Sequence, residues 1–137
     1  MTKQTIDIGA VADDGTGDPI RTAFDKANDN FDELYLLLPN VQTATPTNGA
    51  TVAISNSTSR EIKLFLQHLS TIASATIEMP SAPADGQRVS IRSRSAITAT
   101  TFSATGGKSL IGNTNLPAAG HASWEYLDAD SLWYRAE

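Results

Sequence analysis

The chain has no cysteine, so disulfides and thiolate metal sites are excluded. It has no basic run and carries a net charge of -5, which argues against a nucleic-acid partner. No apolar stretch approaches the roughly 20 residues a membrane-spanning helix needs. The opening MTKQTIDIG lacks the apolar core of a signal peptide. A soluble protein with no membrane partner, used without export through the general pathway, is therefore expected. Aromatics are scarce at 7%, and Ala, Ser and Thr dominate long stretches. That is thin for an independent core in 137 residues, and it points to neighbouring chains completing the fold.

Catalytic and metal constellations are equally sparse. His68 and His121 are the only histidines, and no ligand spacing surrounds them. No GxSxG elbow accompanies Ser55, Ser57 and Ser59. The acids beyond residue 50 are Glu61, Glu78, Asp85, Glu125, Asp128, Asp130 and Glu137. Most fall in turns and none forms a convincing pair for glycoside hydrolysis. Asp13, Asp14 and Asp18 with Gly15 and Gly17 have the composition of a calcium loop, but the acids are bunched rather than alternating. A phosphate cradle at GTGDP would meet the negative charge of Asp18, and no Walker lysine follows. The reading is of a non-enzyme with no metal and no cofactor.

What is present is concentrated in two regions. Ile6 and Ile8 alternate with Thr5 and Asp7, as in an extended arm. Asp14, Gly15 and Gly17 then form a turn. Asp18 is expected to cap a helix whose first residue is Pro19. Ile20, Phe24, Ala27, Phe31, Leu34 and Leu38 follow at steps of 4, 3, 4, 3, 4, a heptad spacing. Arg21, Asp25, Lys26, Asp29, Asp32 and Glu33 lie off that stripe, and Pro39 ends the helix. The stripe fits a short coiled-coil-like trimer seam or a face packed on the chain's own sheet.

Residues 40–49, NVQTATPTNG, read as a polar linker. Beyond them, short β-prone runs such as EIKLFLQHL, QRVSIRS, AITATTFSA and WEYLDADSLWYRAE alternate with turn signals at 56–59, 80–86, 106–107, 112–115, 117–120 and 128–130. The fold class expected is mainly β with one N-terminal helix. Its domains are an arm and helix over 1–39, a linker over 40–49, and a small antiparallel β-sandwich or barrel over 50–137, without repeated segments. Phe65 falls on the outward face of its strand, where it could meet another chain. His68 is expected to face a polar surface. Arg88, Arg92 and Arg94 form either a solvated face or an interface for an acidic neighbour such as the 29–33 stretch. Trp124, Tyr126 and Trp133 are core anchors or, alternatively, ligand aromatics that stack on a host surface glycan. WEYLDADSLWYRAE is expected to be a hairpin turning at DADS.

The run IDIG, a short spacer, then DGTGDPIRTAFDKANDNFDELY resembles the N-terminal segment of many tailed-bacteriophage virion proteins, which are fibre-type appendages and related head, neck or tail structural proteins. The resemblance covers residues 6–35. Ala27 departs from it, standing where a larger aliphatic residue is common and narrowing the seam. PADGQRVSIRSRSAIT and the closing LWYRAE are similar, more loosely, to small β-domains of such proteins. The resemblance implies a non-enzymatic homotrimer located in the virion. The arm with Ile6 and Ile8 would dock on capsid or tail and baseplate proteins, the helix would trimerise, and Arg21 would pair with Asp18, Asp25 or a neighbouring chain. A short head fibre or capsid decoration protein is the first placement. A tail-associated fibre or adaptor whose β-domain binds a host glycan or another fibre is the second.

Overall fold

The computed structural model describes residues 4–11, 14–112, 116 and 120–136. Asp13, the turns at 112–115 and 117–120 in large part, and Glu137 lie outside the described residues. The chain divides into two compact units, Met1–Leu38 and Pro39–Glu137.

The first unit holds the arm and the helix α1, Ile20–Leu37. Pro39 decides where α1 stops. A residue before proline is pushed out of the helical region, and Leu38 accordingly sits at φ -70, ψ 130, its N–H donating to the Tyr35 carbonyl at 3.2 Å. The start differs from expectation. Pro19 is the cap residue rather than the first helical one (φ -53, ψ 144), and no side chain caps the helix. The Ala23 amide donates to the Pro19 carbonyl at 3.0 Å, which sets the first turn. Asp18 does not cap because its carboxylate is committed elsewhere, as described below. No residue of α1 is buried.

Among the described residues the second unit contains nine strands: β1 Asn40–Ala44, β2 Ala50–Ala53, β3 Glu61–Leu66, β4 Ile72–Glu78, β5 Arg88–Ser93, β6 Ile97–Ser103, β7 Ser109–Ile111, β8 His121–Leu127 and β9 Leu132–Arg135. One sheet runs in the order β1-β3-β5-β8-β9-β7 and the other β2-β4-β6. β1, β3 and β5 are parallel, and so are β2, β4 and β6. From β1 to β6 the chain therefore alternates between the sheets and winds as a β-solenoid, which β8 and β9 close with antiparallel pairing. This corrects the expected antiparallel sandwich or barrel. It also corrects the linker over 40–49, since 40–44 pair in register with 62–66. Parallel strands need a crossover; from β1 to β6 each crossover is a strand of the opposite sheet, whereas β7 and β9 pair in parallel with β8 of their own sheet between them in sequence. The coils repeat in space without an obvious sequence repeat. A trace survives in Thr51, Thr76 and Thr101, which stand in register across β2, β4 and β6.

Alternation builds the core. In β3, Ile62, Leu64 and Leu66 turn inward between the half-buried Glu61, Lys63 and Phe65. They meet Val89 and Ile91 of β5, Ala75 and Ile77 of β4, and Ile97 and Phe102 of β6. The β8–β9 hairpin forms where expected, turning through Asp128–Asp130 with Ser131 in the left-handed region at φ 55. It supplies Trp124, Tyr126 and Trp133 to the core.

These three aromatics are at most 1% exposed, so they are not glycan platforms. Trp124 packs on Phe102 with ring centres 4.3 Å apart, Tyr126 on Trp133 at 5.2 Å, and the Arg135 guanidinium lies 4.5 Å from the Trp124 ring centre. A core otherwise built largely of Ile and Leu, with small residues at Ala75 and Ala122, gains bulk from them. His68 likewise is buried, its Nε2 3.4 Å from the Ala96 carbonyl, rather than facing a polar surface.

Candidate docking arm and apolar helix stripe

The DGTGDP segment builds a clasp that folds the arm back along α1. Asp14 organises its tip. One carboxylate oxygen accepts the Ala10 and Val11 amides, each at 2.9 Å, and the other accepts the Thr16 amide at 2.9 Å and the Thr16 hydroxyl at 2.7 Å. Four donors on one carboxylate hold its pKa well below the ordinary range, led by the Thr16 and Val11 amides. Asp14 is thus occupied with its own turn. Among the described residues, no three His, Asp or Glu side chains are grouped to hold a metal.

Asp18 closes the base of the clasp. The Asp18 amide donates to the Asp7 carbonyl and the Asp7 amide donates back to Asp18 Oδ2, both at 2.8 Å. The same Oδ2 accepts from Lys26 Nζ at 2.6 Å, and Lys26 also donates to the Thr5 carbonyl at 3.2 Å. The Lys26 hydrogen bond, then the Asp7 amide, lower the Asp18 pKa. Further along, Asn30 exchanges two hydrogen bonds with the Gln4 backbone, both 2.9 Å, and Gln4 Nε2 donates to Asp29 at 2.5 Å.

Gly17 makes this path open. A side-chain carbon there would stand 2.9 Å from the Asp7 carbonyl oxygen and 3.0 Å from both Gly9 N and Ile8 C. Gly15 has a different reason, a positive φ of 70 with open space around it.

Asp7, Lys26 and Asn30 are the functional residues that pattern reading missed. Their one sequence signal is Asn30, a poor helix former in mid-helix. Arg21 is exposed and, among the described residues, makes no ion pair. The cation that engages Asp18 is Lys26.

The clasp leaves the stripe open. Lys26 and Asn30 lie one turn apart, to one side of the line through positions 20, 24, 27, 31, 34 and 38 at 3.6 residues per turn. Ile20, Phe24, Phe31, Leu34 and Leu38 are 57–76% exposed, and Tyr35 and Leu37 widen the patch. Ala27 is intermediate. On the arm, Ile8 and Val11 are well exposed and Ile6 is little more than half as exposed as Val11.

A family model, described as Bacteriophage T4 gp9/10-like protein, N-terminal, matches residues 3–115. The chain belongs to that family. The match begins in the arm, takes in α1 and runs past β7. The chain is also similar to the baseplate wedge protein gp10 of Enterobacteria phage T4, 64% identical over 33 residues. Those residues are 24% of this chain and 6% of the relative, so the chain spans a small fraction of that protein's length. No solved structure matches. Family membership bears out the expected resemblance to virion proteins of tailed bacteriophages, and the virion location expected with it.

The two low-pKa aspartates give the clasp a definite acid response. A carboxylate depressed in the fold stabilises it above the unfolded value, about 3.9 for Asp, and that contribution is lost as pH falls through the folded value. The Ala10, Val11 and Thr16 amide resonances are therefore expected to stay fixed from neutral pH to about pH 5 and to move only below about pH 4. Movement near pH 6 would show that Asp14 and Asp18 do not hold the clasp.

Proposed function

We propose that the protein is a non-catalytic structural component of the phage virion, homotrimeric through α1 and attached to another virion protein through its clasped arm. The observation that carries this reading is the helix itself. An 18-residue amphipathic helix with no buried residue gains little apolar packing from its own unit. A heptad stripe of exposed Phe and Leu is satisfied when copies of the same helix meet, and bulky seam residues favour three strands over two. Folding the arm onto the flank of α1, off the stripe, presents Ile8 and Val11 in a fixed place. That arrangement suits docking on a platform.

Placement on the tail is favoured over a head fibre or capsid decoration role. The support is the baseplate wedge name carried by the relative. The β-solenoid, with its wound parallel strands, then serves as the projecting body.

The test is the solution mass of the full chain beside a chain beginning at Pro39. A trimer that becomes monomeric on truncation is expected. A full chain that is monomeric, or a shortened one that remains trimeric, overturns the assignment of association to α1. Immunogold labelling of intact particles is expected to mark the tail, and labelling confined to the head would overturn that placement.

A further inference from the structure

The outer face of the first sheet carries a groove that neither the helix nor the family match explains. Its larger part, about 410 Å³, is lined by Glu61, Lys63 and Phe65 of β3, Arg88, Ser90 and Arg92 of β5, and His121. A second hollow of about 350 Å³ continues it past Phe65 and Arg92 to Arg94. Register makes the arrangement firm. Phe65, Arg92 and His121 stand side by side on three paired strands.

The groove is cationic on an acidic protein. Lys63, Arg88, Arg92 and Arg94 line it against one acid, Glu61. Glu61 is engaged by Lys63 at 3.3 Å and by the Ser90 hydroxyl at 3.2 Å. Arg92 is exposed and, among the described residues, enters no ion pair. Beside it, Phe65 offers a partly exposed ring at a strand position that would ordinarily be polar.

The place of the groove selects the ligand class. β3 and β5 are interior strands, so their backbone groups are already paired and an extended peptide cannot add as another strand. Single-stranded nucleic acid uses several stacking aromatics, and this groove has one besides His121. A pyranose ring bearing a carboxylate suits what is present: Phe65 for its apolar C–H face, the Arg92 fork for its carboxylate, and Ser90 and Lys63 for its hydroxyls.

We propose that this groove binds carboxylate-bearing rings of an acidic saccharide. The inference needs only the β-unit, so it stands or falls apart from trimer formation by α1.

The test uses the full chain with tetragalacturonate, a hyaluronate tetrasaccharide and sialyllactose as probes. Maltotetraose and lactose serve as neutral controls, and oligo-dT and polyglutamate as other anions. Saturable binding of at least one acidic saccharide, and of no neutral one, is expected. Arg92→Ala and Phe65→Ala are each expected to weaken it about tenfold or more, with Arg92→Lys in between, since lysine keeps the charge and loses the fork. Thermal melting checks the fold of each variant, and Arg92→Lys carries the test if Phe65→Ala is unstable.

Binding of none of the three saccharides overturns the proposal. So does tighter binding of oligo-dT or polyglutamate that Phe65→Ala leaves unchanged, which would mark plain charge attraction. A change of oligomeric mass in Arg92→Ala or Phe65→Ala would assign the face to contact between copies, and would overturn it equally.

Discussion

Phe31→Asp is expected to convert the associated protein to a monomer without disturbing either unit. Phe31 is 58% exposed, so the substitution removes little packing within the chain. Phe and Asp have similar helix propensities, so the intrinsic cost of the change in a helix is only about 0.2 kcal/mol. In a trimer the balance is different. Each chain loses the burial of a Phe side chain, about 2 kcal/mol, and three carboxylates converge in an apolar seam where each is strongly penalised. At tenfold per 1.4 kcal/mol, the Phe loss summed over three chains alone weakens association by about four orders of magnitude. Light scattering across a chromatography peak reads the mass directly. Phe31→Leu keeps an apolar knob and is expected to keep the trimer. Asp25→Ala, off the stripe, is expected to change nothing. A Phe31→Asp protein with the parent mass would show that α1 does not join the copies.

The same helix shows how far pattern reading carries. The stripe, the terminating proline and the final hairpin were legible because each depends on neighbours in sequence: heptad spacing, the restriction that Pro39 places on Leu38, and the DADS turn between alternating strands. The sheet was not legible in the same way. Strand runs at 61–66, 72–78, 88–93 and 97–103 are visible as runs, but alternation says which residues point inward and not which strand pairs with which. EIKLFL pairs with RVSIRS, skipping the strand between them, and nothing local in either run announces a parallel neighbour. NVQTA was hidden for a related reason. It pairs only with β3 on one side and keeps its alternate residues exposed, so its composition is that of a polar linker. Trp124 and Trp133 illustrate a third limit: an aromatic cluster reads alike for a sugar platform and a core, and burial alone separates them.

The clasp was half legible, and Gly17→Ala tests the half that was not. Glycines at 15 and 17 look equivalent in DGTGDP, since both permit a turn. In the fold they differ. Gly15 needs its positive φ and has nothing within 4 Å, so Gly15→Ala costs about 1–2 kcal/mol of backbone strain while leaving the arm's path clear. Gly17 does not have a positive φ, so Ala there is unstrained in itself. Its new carbon would instead press on Asp7, Ile8 and Gly9 backbone atoms at 2.9–3.0 Å, which cannot rotate away as a side chain would. The arm has to lift. With it go the reciprocal Asp7–Asp18 hydrogen bonds, the reach of Lys26 to Thr5, and the Gln4–Asn30 pair, because all of them span the same short segment. Hydrogen exchange of the Gln4 and Asp7 amides is expected to accelerate about a hundredfold or more in Gly17→Ala and by no more than about thirtyfold in Gly15→Ala, since each factor of ten corresponds to about 1.4 kcal/mol of opening. α1 has no buried residue to lose, so the stripe and the oligomeric mass are expected to survive. What Gly17→Ala removes is the fixed position of Ile8 and Val11, and attachment to the virion is expected to fall with it. Unchanged amide protection in Gly17→Ala would mean that the arm does not cross at Gly17, and the close approach that makes glycine necessary there would be wrong.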